Sequence, residues 1–297
     1  KQTVVKESDA HFLAQLIPTL IKSQLEFYQY SNTLRKFSLE LLRSILAHNE
    51  SLVTFANLNG FIPLMEQSLR SDNEGLLIAS MKVLNLVLLL PLDEDATKRL
   101  TVCTRRVLQM FKNSPSTNSD LAQACLRYLS SVVRHKNDDI DLKTSAIVYI
   151  LIKLSPDLED PSRQGLAFNF LKAVLAQHVM VPEVYDIMEK VSKIMVTNHT
   201  REIRNMARST YFQFLMEYDQ GKGKLEKEFQ FLLGNLSYPA ESGRLSVLEL
   251  INSVILKATL ELVQKISGSF FVGLSNVSVT DDSLKCRESA TNILIAL

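Results

Sequence analysis

Between Gln220 and Glu226 the sequence reads QGKGKLE, two lysines set between and behind two glycines. Glycines with a following lysine can cradle phosphate when backbone N–H groups converge on the anion. Such a loop follows a strand and opens a helix. Here the preceding stretch, TREIRNMARSTYFQFLMEY, has helical spacing, so the strand is missing. Gly221 and Gly223 therefore read as a helix C-cap followed by a tight turn into LEKEFQFLLGNL. Lys222 and Lys224 project from that turn, with Lys227 about one helical turn later, and exposed lysines can meet nucleic-acid phosphate without any special loop fold. Arg201 and Arg208 are expected on the solvent side of the preceding helix. They would continue the basic patch, while Arg204, at the border of the apolar face, suits a salt bridge to a neighbouring repeat. Lys98, Arg99, Arg105 and Arg106 form a second basic cluster. Neither cluster is interleaved with surface aromatics, so phosphate contact rather than base stacking would be its mode.

Other chemistry finds no spacing to support it. The histidines, His11, His48, His135, His178 and His199, stand singly. Cys103, Cys125 and Cys286 are far apart and form no C-x-x-C, so neither a zinc site nor a disulfide framework is indicated and a reducing compartment fits. No H-E-x-x-H, G-x-S-x-G, G-x-G-x-x-G or Walker motif occurs. The acidic runs at 93–95, 137–141, 157–161 and 280–283 fall between helices, where carboxylates cap free N–H groups. No catalytic residue, metal ligand, cofactor or small-molecule substrate is expected.

The elements that carry these residues are helices. The chain has 297 residues, of which 46% are apolar, with only 9 glycines and 8 prolines and a formal net charge of +1. Few turn residues favour an all-α protein, and a near-zero charge leaves nucleic-acid contact to local patches. In the helix after Thr200, the expected N-cap, Ile203, Met206, Ala207, Tyr211, Phe214, Leu215 and Tyr218 share one face. Asp281 or Asp282 is the expected cap of the last helix. Arg163, Arg204, Arg244 and Arg287 recur at intervals of about 41, 40 and 43 residues near the starts of successive helices. That period marks two-helix units in which these arginines serve the repeats. Partner helices are expected at about 10–28, 58–71, 95–112, 141–154, 182–197, 222–236 and 259–277, two of them kinked or started late by Pro18 and Pro63. The expectation is an all-α α-solenoid of about seven HEAT-type helix pairs in a right-handed superhelix, one continuous domain over 1–297. The start at Lys1 and the stop inside an apolar stripe at Leu297 read as a fragment cut at both ends.

From Val181 onward the markers VPEVYD, MVTN, YDQGKGKLEKEFQFLLGNLSY, SGRLSVLEL and DDSLKCRESA resemble a family of large HEAT-repeat components of the small-subunit processome. The resemblance is specific over about 181–297; upstream only the general HEAT pattern is present. It implies a non-catalytic scaffold of the nucleus and nucleolus, supporting pre-ribosomal RNA processing and small-subunit assembly. It implies U-three small nucleolar RNA, pre-ribosomal RNA and other processome proteins as partners, with no cofactor and no membrane. The rival from residues alone is a protein-only HEAT scaffold, such as a nuclear transport receptor or kinase adaptor.

Overall fold

The structure, a computed structural model, describes residues 31–48, 55–135, 140–221 and 223–297, with a few positions between 16 and 23. The helix expected over 10–28, with Pro18, therefore lies almost wholly outside the described residues, as do 137–139 of the second acidic run. Among the described residues there are α-helices, short 3-10 turns and no strands. They fall into two compact units, Lys1–Ala146 and Ile147–Leu297.

In the first unit α1 (Asn32–His48), α3 (Glu74–Val87) and α5 (Asp120–Arg134) lie side by side, while α2 (Phe55–Ser68) and α4 (Glu94–Asn113) form the second layer. Short connections make α2–α3 and α4–α5 hairpins. The helices start where side chains satisfy their first N–H groups. Asn73 accepts from the Leu76 N–H at 2.9 Å, Asp93 from Ala96 at 2.8 Å and Ser119 from Ala122 at 3.1 Å. Val83 and Leu84 of α3, Leu100 and Val107 of α4, and Leu129 of α5 are fully buried between the layers. Each such side chain contributes about 2 kcal/mol by leaving water. Tyr128 shares a hydrogen bond of 2.9 Å with Thr104 inside this core, so its hydroxyl is satisfied without solvent. Pro63 is interior to α2, which begins at Phe55. The late start expected from that proline does not occur, although its ring nitrogen has no N–H for the carbonyl four residues back.

α6 (Thr144–Leu154) opens the second unit across the boundary, followed by a 3-10 turn at Ser155–Glu159. α7 (Gln164–Ala176), α9 (Arg201–Glu217), α11 (Glu241–Lys257) and α13 (Leu284–Ala296) then pack in series as one layer. α8 (Pro182–Thr197), α10 (Lys224–Gly234) and α12 (Leu260–Thr280) supply the other, with a second 3-10 turn at Asn235–Ser237. Val191, Tyr211, Leu232, Leu250, Leu274 and Ala290 are completely buried and mark a core running along the layers of this unit.

α7 ends in a left-handed cap. His178 has φ 51, its N–H donates to the Leu175 carbonyl at 3.0 Å, and the Val179 N–H reaches Val174 at 3.3 Å. A histidine carries its Cβ into a backbone region that only glycine enters freely. His178→Gly is therefore expected to stabilise the chain by about 1 kcal/mol, read as a rise in urea midpoint at unchanged m-value. An unchanged or lower midpoint would show that the imidazole contributes more than the strain costs.

Candidate functional site

The QGKGK stretch is a connection between α9 and α10. The Tyr218 N–H donates to the Phe214 carbonyl at 3.3 Å, the Gln220 side chain donates to the same carbonyl at 3.0 Å, and the Lys224 N–H returns to Gly221 at 3.0 Å. Gly223, at φ 78, occupies the left-handed conformation. It stands as the N-cap of α10, not at the end of α9 where a C-cap is expected from the sequence. Lys222 lies outside the described residues.

Lys224 does not stand free in this turn. Its ammonium lies 3.5 Å from the centre of the Tyr185 ring. Tyr185 meets Phe214 and Tyr218 edge-on at 5.9 Å and 5.7 Å, and its hydroxyl donates to the Asp219 carbonyl at 2.9 Å. The Tyr218 hydroxyl in turn donates to the Val179 carbonyl at 2.7 Å, tying the turn back across α8. Lys227 and Arg201 are exposed.

Arg208 corrects its expectation. Its angle on α9 points to the solvent side, yet its side chain is only 21% exposed and forms an ion pair with Glu249 of α11. Burial pushes its pKa down against the pull of Glu249, and the neighbouring Arg201 and Arg204 add to the lowering. An angle on one helix cannot report which neighbour covers that face.

The recurrent arginines make a repeated clamp. Arg204 Nη1 donates to the carbonyls of Asn198 at 2.8 Å and His199 at 2.9 Å. Arg244 Nη1 donates to Tyr238 and Pro239, both at 3.0 Å, and Arg287 Nη1 to Asp281 at 2.6 Å and Asp282 at 3.3 Å. Each guanidinium thus reaches the two carbonyls six and five residues before it. Those carbonyls close the connection from the first helix of the hairpin, where a positive charge meets the negative helix end. Arg163 holds the corresponding 3-10 turn through carboxylates, Asp160 at 2.8 Å and buried Asp157 at 2.9 Å. Hydrogen bonds from Ser162 and Arg163 lower the Asp160 pKa to about 2. The salt bridge expected from Arg204 to a neighbouring repeat is not formed among the described residues; both of its bonds stay within its own hairpin. Arg244 does cross to the next one. It grips Asp281 with Nε and Nη2 at 2.8 and 2.9 Å and touches Asp282 at 2.5 Å. Asp281 is committed to this grip and to the Ser283 N–H, and the cap of α13 is Ser283 itself, correcting the expectation of an aspartate there.

Other cations also tie one hairpin to the next. Lys265 pairs with Glu226, Lys285 with Glu241 at 3.7 Å, and Lys172 donates to Ser209 at 2.7 Å. In the earlier cluster Lys98 pairs with Glu94 at 2.5 Å, Arg99 with Asp95 at 2.9 Å, and Arg106 donates to the Leu69 carbonyl at 3.4 Å. Arg105 is exposed.

Among the described residues of the site nothing resembles a reaction centre. Burial raises the Cys103 and Cys125 thiols to about 12 and Cys286 in the same direction, which keeps them protonated and unreactive. Among the described residues no group of three His, Cys, Asp or Glu is arranged to hold a metal ion, and no helix is long and apolar enough to cross a membrane.

No family model matches the chain. The U3 small nucleolar RNA-associated protein 20 of Saccharomyces cerevisiae is 47% identical over 290 residues, covering 98% of this chain and 12% of that protein. The protein of the same name from Schizosaccharomyces pombe is 35% identical over 269 residues, covering 90% of this chain and 11% of its own length. The chain therefore spans about an eighth or less of the curated relatives it matches. Among solved structures an engineered protein aligns over 94% of this chain and 67% of its own, at a TM-score of 0.54 and 14% identity. Kap121p bound to Pho4p aligns over 95% of this chain and 33% of its own, at 0.53 and 11%. At such identities these structures carry the fold alone, a file of helix pairs of the HEAT and armadillo kind. Helix by helix and residue by residue, the chain is an α-solenoid segment of HEAT type, similar along nearly its whole length to one stretch of U3 small nucleolar RNA-associated protein 20.

Proposed function

We propose that this chain is part of a non-catalytic scaffold in ribosome biogenesis, working in the nucleolus within the small-subunit processome. It supports pre-ribosomal RNA processing and small-subunit assembly by presenting its repeats to other processome proteins, to U3 small nucleolar RNA and to pre-ribosomal RNA. The observation that carries this reading is the 47% identity over 98% of the chain. The geometry supports the scaffold half of it: the arginines and many of the lysines brought together here are spent on holding hairpins in register. The proposal takes 1–297 as a single run of repeats, supported by the same helix-pair pattern within each unit.

RNA contact falls to the α9–α10 corner, where Arg201, Lys224 and Lys227 are exposed. Reversing Lys222, Lys224 and Lys227 to Glu in the full-length protein is expected to weaken RNA binding evenly across sequences. The slope of log affinity against log salt should fall by roughly one for each phosphate that is no longer neutralised, with helicity by circular dichroism unchanged. Unaltered affinity and slope would remove RNA from this corner and leave a scaffold that binds proteins alone.

A further inference from the structure

α12 is 21 residues long and buries one side, including Ile266, Phe270 and Leu274, in the core of its unit. Its opposite side is unlike an ordinary solvated helix face. Gln264, Gly268, Phe271, Val272, Ser275 and Val279 follow one another at steps that keep them on one face, and none is charged. Phe271 is 58% exposed, Val272 69% and Val279 78%. Gly268 adds an independent observation. A Cβ built there meets nothing within 4 Å, so no contact in this chain calls for a glycine inside the helix.

The preceding repeat shows what such a face receives. The outward side of α10 carries Leu225, Phe229 and Leu233, and α12 lies on it. Phe229 meets Phe270 edge-on at 5.6 Å, and α12 comes so close to Leu233 that a Cβ on Gly273 would fall 2.9 Å from it. Leu232 and Leu274, both fully buried, fix the register between the two helices. Carried by that register, Phe229 maps onto Phe271. We propose that the outward strip of α12 is a docking face for one more helical hairpin of this repeat type, laid on α12 as α12 is laid on α10. The strip has no cation for phosphate, and its width is that of a helix. The curated relatives run far beyond the segment they share with this chain, and the hairpin is assigned to the same polypeptide in proteins of that length.

Phe271→Cys tests this with N-ethylmaleimide as probe, because Cys103, Cys125 and Cys286 are all buried and give little background. The 297-residue chain is expected to label at the rate of an open thiol, and the full-length protein at least about tenfold more slowly. Equal fast rates overturn the proposal. So does protection of the 297-residue chain that grows with its own concentration, which would make the occupant a second copy. Protection of the full-length protein that vanishes once other proteins are removed would assign the face to a separate partner and overturn it equally. Gly268→Ala should raise the melting temperature of the 297-residue chain, and a fall would show that the glycine already serves an internal contact.

Discussion

Gly243→Ala is expected to destabilise the chain by about 3 kcal/mol, the cost of forcing extra volume into a closed helix crossing. The added Cβ would lie 2.5 Å from the Tyr238 ring and 2.6 Å from the carbonyl oxygen of Val196. The ring can swing aside in part. The carbonyl cannot, because it belongs to the last turn of α8, on which α11 packs. A shift of α11 would also disturb Arg244, the next residue, which holds the following hairpin. For a chain of this length the melting temperature should fall by roughly 6–12 °C. Gly268→Ala is the control of opposite sign: with open space around it, the same substitution should gain about 0.5–1 kcal/mol from helix propensity. Equal small effects at the two positions would mean that α11 does not approach α8 as closely as described.

Arg244→Ala is expected to cost about 3–5 kcal/mol, since it leaves a buried carboxylate without its cation. The Arg244 and Asp281 side chains are 8% and 5% exposed, so water cannot replace the missing partner. The same deletion frees the carbonyls of Tyr238 and Pro239. Arg244→Met with Asp281→Asn should cost clearly less than Arg244→Ala, because the uncompensated charge is then gone. The pair also fixes a pH dependence. Burial pushes the Asp281 pKa up, but hydrogen bonds from Arg244 and from the Ser283 N–H outweigh it and hold the carboxyl below the ordinary aspartate range. A folded pKa depressed in this way stabilises the protein above the unfolded value of about 3.9, and the stabilisation is lost as pH falls through the folded value. The gap between wild type and Arg244→Ala should therefore be full at pH 7 and should close below about pH 4, measured by urea denaturation at both. A gap that stays constant across that range would mean the ion pair adds nothing to stability.

Much of the helical framework is legible in the sequence because one physical signal, the 3.6-residue period, repeats in every element. The partner expected at 182–197 is α8, Pro182–Thr197, and the one expected at 95–112 is α4, Glu94–Asn113. The intervals between Arg163, Arg204, Arg244 and Arg287 mark a repeated task, but not what the task is. Main-chain carbonyls have no residue type, so the acceptors of Arg204 and Arg287 leave no trace to read. Arg208 misleads for a related reason: Glu249 lies about one repeat further on, and only the stacking brings the two together. Gly243 in SGR reads as part of a turn, yet it is helical, and its reason is the carbonyl of Val196 on another helix. Lys224 looks free in the sequence because its partner, Tyr185, is brought to it by the fold and not by neighbouring residues.

The most direct measurement is gradient sedimentation of the full-length protein from cells, probing fractions for U3 small nucleolar RNA and pre-ribosomal RNA, with wild type and Arg244→Ala side by side. Wild type should travel with both RNAs in one large particle, and the variant, its hairpins no longer held in register, should shift toward lighter fractions. A wild-type protein that sediments apart from both RNAs would contradict the account.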